Sequence, residues 1–484
     1  MFSGLRDRSG LDRGALTRYG EVLALAAPAT ASMLSYTLAG LVDTLMVGPL
    51  GAAALGGVGL SNALLFTVGA FFMGMVGGVS PLTAQHEGAG DKARAGLYVH
   101  QAIWLAIFGG AALTVSLGLG ARVWVGMLSP GEGVADAAAA YLRWRALAFV
   151  PVFSLMAYDH LLQGLGDTRT PMRLALTSNA LNVVLTAWLV NGGLGVEPQG
   201  VAGAAMGTVA SYLFTVLQYQ WVLAKRSRRD PAYRMWPLRA PDAGAMRQLL
   251  KVGLPMGVQF TVDVGAWLAL STFVGWISDE ALAATQIVAR VVSVPLMAAH
   301  GITVAATSLV GRHLGAGQTE KARAYGWTAV MTGLLLTFVI AVPVASLPDR
   351  VVGWFTQDPA VQATAAMLLT VAIGLMVAET FANGAYGILQ GAGDTRFTMK
   401  VTLGATWGVG VPVGWALAFP LGLGANGIYV ALGLQMTVIS ALYVWRIRGG
   451  AWLNSRVITP EAKAQEIEAE DAAEDEAAEI ALSV

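Results

Sequence analysis

The sequence predicts an all-α polytopic membrane protein, with about twelve transmembrane helices in two six-helix lobes related by a pseudo-two-fold axis along the membrane normal. Three observations carry this. Apolar residues fill 55% of the 484 positions and charged residues only 12%, about half the charged share of a soluble protein. Apolar runs long enough to cross the hydrocarbon, which takes about 20 residues, recur along the chain, and the mean hydropathy is +0.60. The third is an internal repeat. LQGLGDTRTPM at Leu162–Met172 returns as LQGAGDTRFTM at Leu389–Met399, an offset of 227. The same offset carries Pro28 onto Pro255, Gly48 onto Gly275 and HEGAG at His86 onto HLGAG at His313, while KARA at Lys92 recurs at Lys321 with a two-residue slip. Six spans per copy is an even number, so both copies enter the membrane from the same side and leave a cleft between them.

Residues 1–19 form a charged tail without the apolar core and small-residue cleavage site of a signal peptide. The first span, from Leu23 to Gly48, is interrupted twice. Pro28 removes a helix hydrogen bond and invites a bend, and Asp43 places a carboxylate where a charge is costly and usually faces a cavity. Spans near 52–79, 98–126, 137–162, 172–193 and 200–224 complete an amino lobe over 20–224. A basic stretch with Arg226, Arg228, Arg229, Arg234, Arg239 and Arg247 reads as a linker over 225–250. Spans near 252–277, 281–310, 324–347, 361–389, 398–420 and 423–445 make a carboxy lobe over 251–446. These blocks are too long and too rich in Ala and Gly for barrel strands, and small residues suit close helix packing in lipid.

Lys and Arg set the orientation. With the amino terminus inside, Arg6, Lys92, Arg169, Arg173, the linker, Arg312, Arg396, Lys400 and Arg446 collect on the cytoplasmic side, against Arg122, Arg143, Arg145 and Arg350 opposite. Both termini are expected in the cytoplasm and the chain in the plasma (inner) membrane. The tail over 447–484 becomes nearly all acid and alanine after Pro460 and reads as solvated, with no transport role. The absence of cysteine excludes disulfide and thiol chemistry. The five histidines show no metal-ligand spacing.

Few ionisable groups fall within spans: Asp43, Asp159, Asp263, Glu379 and one deep base, Arg290. A carboxylate taken out of water is driven toward its neutral form, which suits proton exchange, and with carbonyl and hydroxyl help it can hold a sodium ion. Asp43 is read as a cation-coupling acid, or else as a group that caps and solvates the helix end. Asp263 and Glu379 are either a second coupling pair or the partners of Arg290. Asp159, beside His160, reads as a water-exposed helix-end group. Thr177, Ser178, Asn179, Asn182 and Thr186 line the fifth span; Asn179, Asn182 and Thr186 share one face by their spacing and serve either as a site with Asp43 or as interhelical glue. The GDTR loops lack the glycine–lysine pattern of a nucleotide loop and read as Asp-capped turns.

VDTLMVGPLG after a helix carrying Pro28, the two GDTR segments, and NVVL followed by GVAGAAMGT together resemble the multidrug and toxic compound extrusion (MATE) family, from about Tyr19 to Arg446. The resemblance implies a secondary antiporter, not an enzyme, that expels cationic or amphipathic organic compounds in exchange for H+ or Na+, with no other cofactor. It assigns Asp43 the role of the essential first-helix acid and places Asn182 and Thr208 in the amino-lobe site. Thr186 stands where many relatives have a second aspartate. Asp263 and Glu379 fall at the carboxy-lobe acid positions with their lengths exchanged, which favours the NorM-like over the DinF-like branch. A sodium ion is expected at Asp43 or at Asp263/Glu379, and an inward-pointing Arg290 would serve there as an internal counter-ion. Pro28 is the expected hinge, and Met33, Tyr36, Phe66 and Met256 are candidates to line an adaptable pocket. The expected partners are small organic substrates and membrane lipids, with no nucleic acid, and the chain is expected to be a monomer. Two other readings stand beside this one. A lipid-linked oligosaccharide flippase would want a more cationic cleft, and a membrane-embedded transferase would want clustered acids.

Overall fold

The computed structural model describes residues 13–128, 131–193 and 195–457. These form helices and tight turns joined by short loops. In the amino lobe they are α1 (Arg13–Val47), α2 (Ala52–Val76), α3 (Val79–Ala89), α4 (Lys92–Leu113), α5 (Ala121–Gly126), α6 (Glu132–Arg145), α7 (Phe149–Gly164), α8 (Arg169–Asn191) and α9 (Gly200–Arg229). In the carboxy lobe they are α10 (Ala243–Ile277), α11 (Asp279–Gly315), α12 (Thr319–Ser346), α13 (Pro348–Gly353), α14 (Pro359–Gly391), α15 (Thr395–Ala405), α16 (Val411–Ala418) and α17 (Gly424–Arg448). Among the described residues, eleven segments are long and apolar enough to cross a membrane. α1, with 35 residues, is roughly 50 Å long at 1.5 Å per residue and takes the place that α10 takes in the other repeat.

Local chemistry sets the breaks. Gly77 and Gly78 separate α2 from α3 within one span, and a π turn over Thr406–Gly410, followed by Pro412, separates α15 from α16. The basic stretch is more helical than the sequence suggests. α9 continues to Arg229, with three arginines in its last turn where the helix dipole favours cations. Asp242 then caps α10 by accepting from the Ala245 N–H at 2.6 Å.

The lobes meet toward the end that carries the basic loops. There the repeat becomes a geometric fact. A Cβ added to Gly88 of α3 would lie 1.9 Å from the Arg312 carbonyl oxygen of α11, and one added to Gly315 of α11 would lie 1.8 Å from the Gln85 carbonyl oxygen of α3. Gly88 and Gly315, and likewise Gln85 and Arg312, are each 227 apart, so one crossing is built twice about the axis. A second layer repeats the device. A Cβ added to Gly74 of α2 would lie 2.6 Å from the Met256 carbonyl oxygen of α10, and one added to Gly301 of α11 would lie 2.6 Å from the Ala26 carbonyl oxygen of α1. At mid-depth the lobes touch through Thr37 Oγ1 and Met297 Sδ at 3.8 Å and through the Phe66 and Phe260 rings, edge to face at 5.9 Å. Beyond these contacts Gln286 and Arg290 of α11 are exposed.

The chain end takes part in this closure. After α17, Trp452 is fully buried in the carboxy lobe. Val457 then crosses to pack on the amino-lobe core, and its N–H donates to Gln85 Oε1 at 2.9 Å. Gln85 Nε2 donates to the Gly391 carbonyl at 2.8 Å.

Candidate functional site

Asp43 projects from α1 into the amino lobe and is 6% exposed. Although it lies one turn from the helix end, it does not cap or solvate that end. Its Oδ2 accepts from the Thr208 hydroxyl of α9 at 3.1 Å. Thr208 Oγ1 in turn accepts from Asn182 Nδ2 of α8 at 3.1 Å and lies 3.0 Å from the Ala204 carbonyl. Because a threonine hydroxyl has one proton, Thr208 donates either to Asp43 or to Ala204. Asp43 Oδ1, Asn182 Oδ1 and Thr186 Oγ1 are buried and have no hydrogen-bond partner among the described residues. α8 and α9 approach this closely because position 207 is glycine: a Cβ there would lie 2.7 Å from Thr186 Oγ1. Asn179 belongs to the same α8 face but does a different job, donating to the carbonyl and hydroxyl of Ser35 and tying α8 to α1. Site and glue therefore divide along one helix face.

Arg145, at the end of α6, supplies a base the sequence reading placed at the outer surface. Its guanidinium interacts electrostatically with Asp43. It lies 5.1 Å from the Tyr212 ring centroid, and its Nη2 donates to Tyr212 Oη at 3.4 Å. The available signal was an arginine at the end of an amphipathic stretch, which in sequence looks the same as an orienting charge.

In the carboxy lobe, α10 and α14 bring Asp263 and Glu379 into electrostatic reach of each other, with Tyr386 and Tyr443 alongside. Asp263 is exposed and Glu379 partly buried. Arg290 does not join them. It is exposed on α11, and no ion pair links it to either acid among the described residues, so the counter-ion expectation is corrected. Asp159 is corrected as well. It is 9% exposed and accepts from the Tyr219 hydroxyl, because α9 covers the helix end that the sequence leaves open. Met256 is buried at 6% within the lobe contact, whereas Phe66 is 47% exposed; the Tyr36 side chain lies outside the described residues. α1 runs unbroken through Pro28, with Ser32 Oγ donating to the Pro28 carbonyl at 3.0 Å.

The GDTR loops are sockets for the opposite lobe. A Cβ at Gly166 would meet the Arg312 guanidinium at 2.5 Å, and one at the repeat-related Gly393 would have Gln85 Nε2 at 3.8 Å. Both glycines have positive φ, +73° and +81°, which favours glycine. Asp167 accepts from the Thr170 N–H at 2.9 Å and pairs with Arg226. Asp394 pairs with Arg446 at 2.7 Å but caps no N–H, so only the first loop is the Asp-capped turn expected.

The MatE family model matches residues 28–188 and 255–416, one copy in each lobe and in the register of the repeat. The chain belongs to the MATE family. It is 32% identical over 453 residues to a probable multidrug resistance protein NorM of Pseudomonas putida, covering 89% of this chain and 95% of that one. It is 28% identical over 437 residues to the multidrug resistance protein PmpM of Pseudomonas aeruginosa, covering 89% and 91%. Among solved structures, an outward-facing multidrug resistance MATE transporter of the MOP superfamily superposes with a TM-score of 0.81 at 21% identity, covering 90% of this chain and 96% of that one. A MATE in the bent conformation gives 0.81 at 21% identity, covering 92% and 99%. NorM relatives agree with the branch expected from the sequence, and the two-lobed all-α fold with that of the MATE-family transporters.

Proposed function

We propose that this MATE-family chain is a multidrug efflux antiporter of the inner membrane, with both termini in the cytoplasm, that exchanges protons for cationic or amphipathic organic compounds by alternating access. The observation that carries the reading is the buried Asp43–Thr208–Asn182 chain with its single shared proton. When Asp43 is ionised, Thr208 donates to it. When Asp43 takes a proton, its own O–H can donate to Thr208 Oγ1, and the threonine proton turns to the Ala204 carbonyl. The bond between Asp43 Oδ2 and Thr208 Oγ1 is kept in both states with its direction reversed, so loading and unloading leave no orphaned hydrogen bond at that oxygen. The Arg145 guanidinium, in electrostatic reach of Asp43, stabilises the ionised carboxylate and so promotes release of the bound cation.

Coupling follows from differential affinity. A ligand shifts an equilibrium between two faces only by as much as it prefers one of them. A neutralised Asp43 and a bound organic cation therefore favour different states of the amino lobe, and bending of α1 at Pro28 is the accompanying hinge motion. A second reading rests on Asp263 and Glu379, two acids in mutual reach with no ion pair among the described residues, as a sodium site in the carboxy lobe. The test is ethidium transport in proteoliposomes under an imposed pH or sodium gradient, with wild type and Asp43→Asn. Proton-driven transport lost in Asp43→Asn supports the first reading; coupled exchange retained in that variant refutes it.

A further inference from the structure

At the basic end of the carboxy lobe, the outer faces of α10 and α15 leave a groove of about 820 Å³, within the span of ligand pockets, about 300–1,000 Å³. Its lining is ordered by depth. Arg247 and Lys251 on α10, with Arg396 and Lys400 on α15, sit at the end nearest the loops, and Leu254 and Val258 continue the α10 stripe toward the bilayer interior. All four cations are exposed, and none is ion-paired among the described residues. Leu254 and Val258 are exposed as well, at 41% and 36%.

The repeat separates this groove from general orienting charge. The offset of 227 carries Arg396 and Lys400 onto Arg169 and Arg173 in the amino lobe, so those two cations are common to both halves. It carries Arg247 and Lys251 onto Gly20 and Ala24. Two cations are thus particular to the carboxy-lobe groove, and they complete a four-cation cluster above an apolar wall.

We infer that this groove binds the head and upper acyl chain of an anionic phospholipid. Four cations near a phosphate match a basic interhelical pocket at the membrane surface, and the apolar stripe below them matches an acyl chain. A soluble anion would make no use of that stripe. The acidic tail after Val457 is the competing occupant, since Val457 lies against Gly393, three residues before Arg396.

The experiment is native mass spectrometry of the full chain with phosphatidylglycerol, cardiolipin and phosphatidylethanolamine. It compares wild type, Arg247→Gln/Lys251→Gln, the matched amino-lobe variant Arg169→Gln/Arg173→Gln, the charge-preserving Arg247→Lys, and a chain ending at Thr459. The expected result is retention of the two anionic lipids over phosphatidylethanolamine, a loss on the order of ten-fold in Arg247→Gln/Lys251→Gln, a smaller loss in the amino-lobe variant, and full retention in Arg247→Lys. Equal retention of all three lipids by wild type overturns the inference, as do equal losses in the two double variants, which would reduce the groove to general surface charge. Anionic lipid binding that appears only after truncation at Thr459 also overturns it, by assigning the groove to the tail.

Discussion

Replacing Thr208 by valine keeps the shape of the side chain and removes the one hydroxyl that touches Asp43, accepts from Asn182 and reaches Ala204. A hydrogen bond to a charged group contributes about 1.5–3 kcal/mol. The protonated form loses a neutral bond of about 0.5–1.5 kcal/mol as well, so the net penalty on the ionised form, whose other oxygen has no partner among the described residues, is about 1–1.5 kcal/mol. The variant therefore holds its proton more tightly. At about 1.36 kcal/mol per pH unit, the pH of half-maximal proton-driven transport moves upward by about one unit. The assay is ethidium efflux from proteoliposomes across a series of internal and external pH values, with Thr208→Ser as the control that keeps the hydroxyl. Reconstituted Thr208→Val with a pH profile superimposed on wild type and Thr208→Ser would refute the idea that this hydroxyl shares a proton with Asp43.

Asp263→Asn combined with Glu379→Gln removes any sodium-stimulated component of transport and leaves proton-driven transport in place, measured with separate sodium and pH gradients. Gly88→Ala pushes a methyl group into the Arg312 carbonyl; overpacking costs about 1–3 kcal/mol and disfavours closure at the basic end. Because the chain has no cysteine, a single cysteine at the buried Thr307 reports this as faster labelling by a maleimide. For Asp167, burial works against the charge, but the Thr170 hydroxyl and N–H and the Arg226 guanidinium prevail and hold the carboxyl below its ordinary range. A carboxyl lowered on folding stabilises the protein above its unfolded value, near pH 4, and loses that contribution as pH falls through the lowered value. Asp167→Asn therefore melts lower than wild type at pH 7, by on the order of 1 kcal/mol, and the two thermal curves converge below about pH 4.

The fold was legible because lipid imposes long apolar runs and because the repeat kept its register over 227 positions. The HxGAG repeat shows two glycines in matching places. It does not show that each glycine meets the other copy's helix, since that contact exists only once the halves close on one another. Asp43, Asn182 and Thr208 were legible as polar residues in apolar spans. Arg145 was not, because sequence counts charge by distance from a span's end and cannot see that the Tyr212 ring and Asp43 pack around that end. Arg290 failed for the opposite reason: hydropathy places it deep, while packing leaves it exposed. The repeat also misleads about chemistry. The offset carries Asp43 onto the buried Leu270 and Asp263 onto Tyr36, so twin scaffolds hold unlike acids.

The bond from Val457 to Gln85 makes the contact at the basic end a three-part seal, in which the stretch after α17 acts as a bolt between two doors. Opening that end requires the bolt to slide as well as the doors to swing. A fusion joined directly behind Val457, or a chain cut ahead of it, would therefore loosen the basic end and leave the Asp43 chain and the Asp263/Glu379 pair untouched.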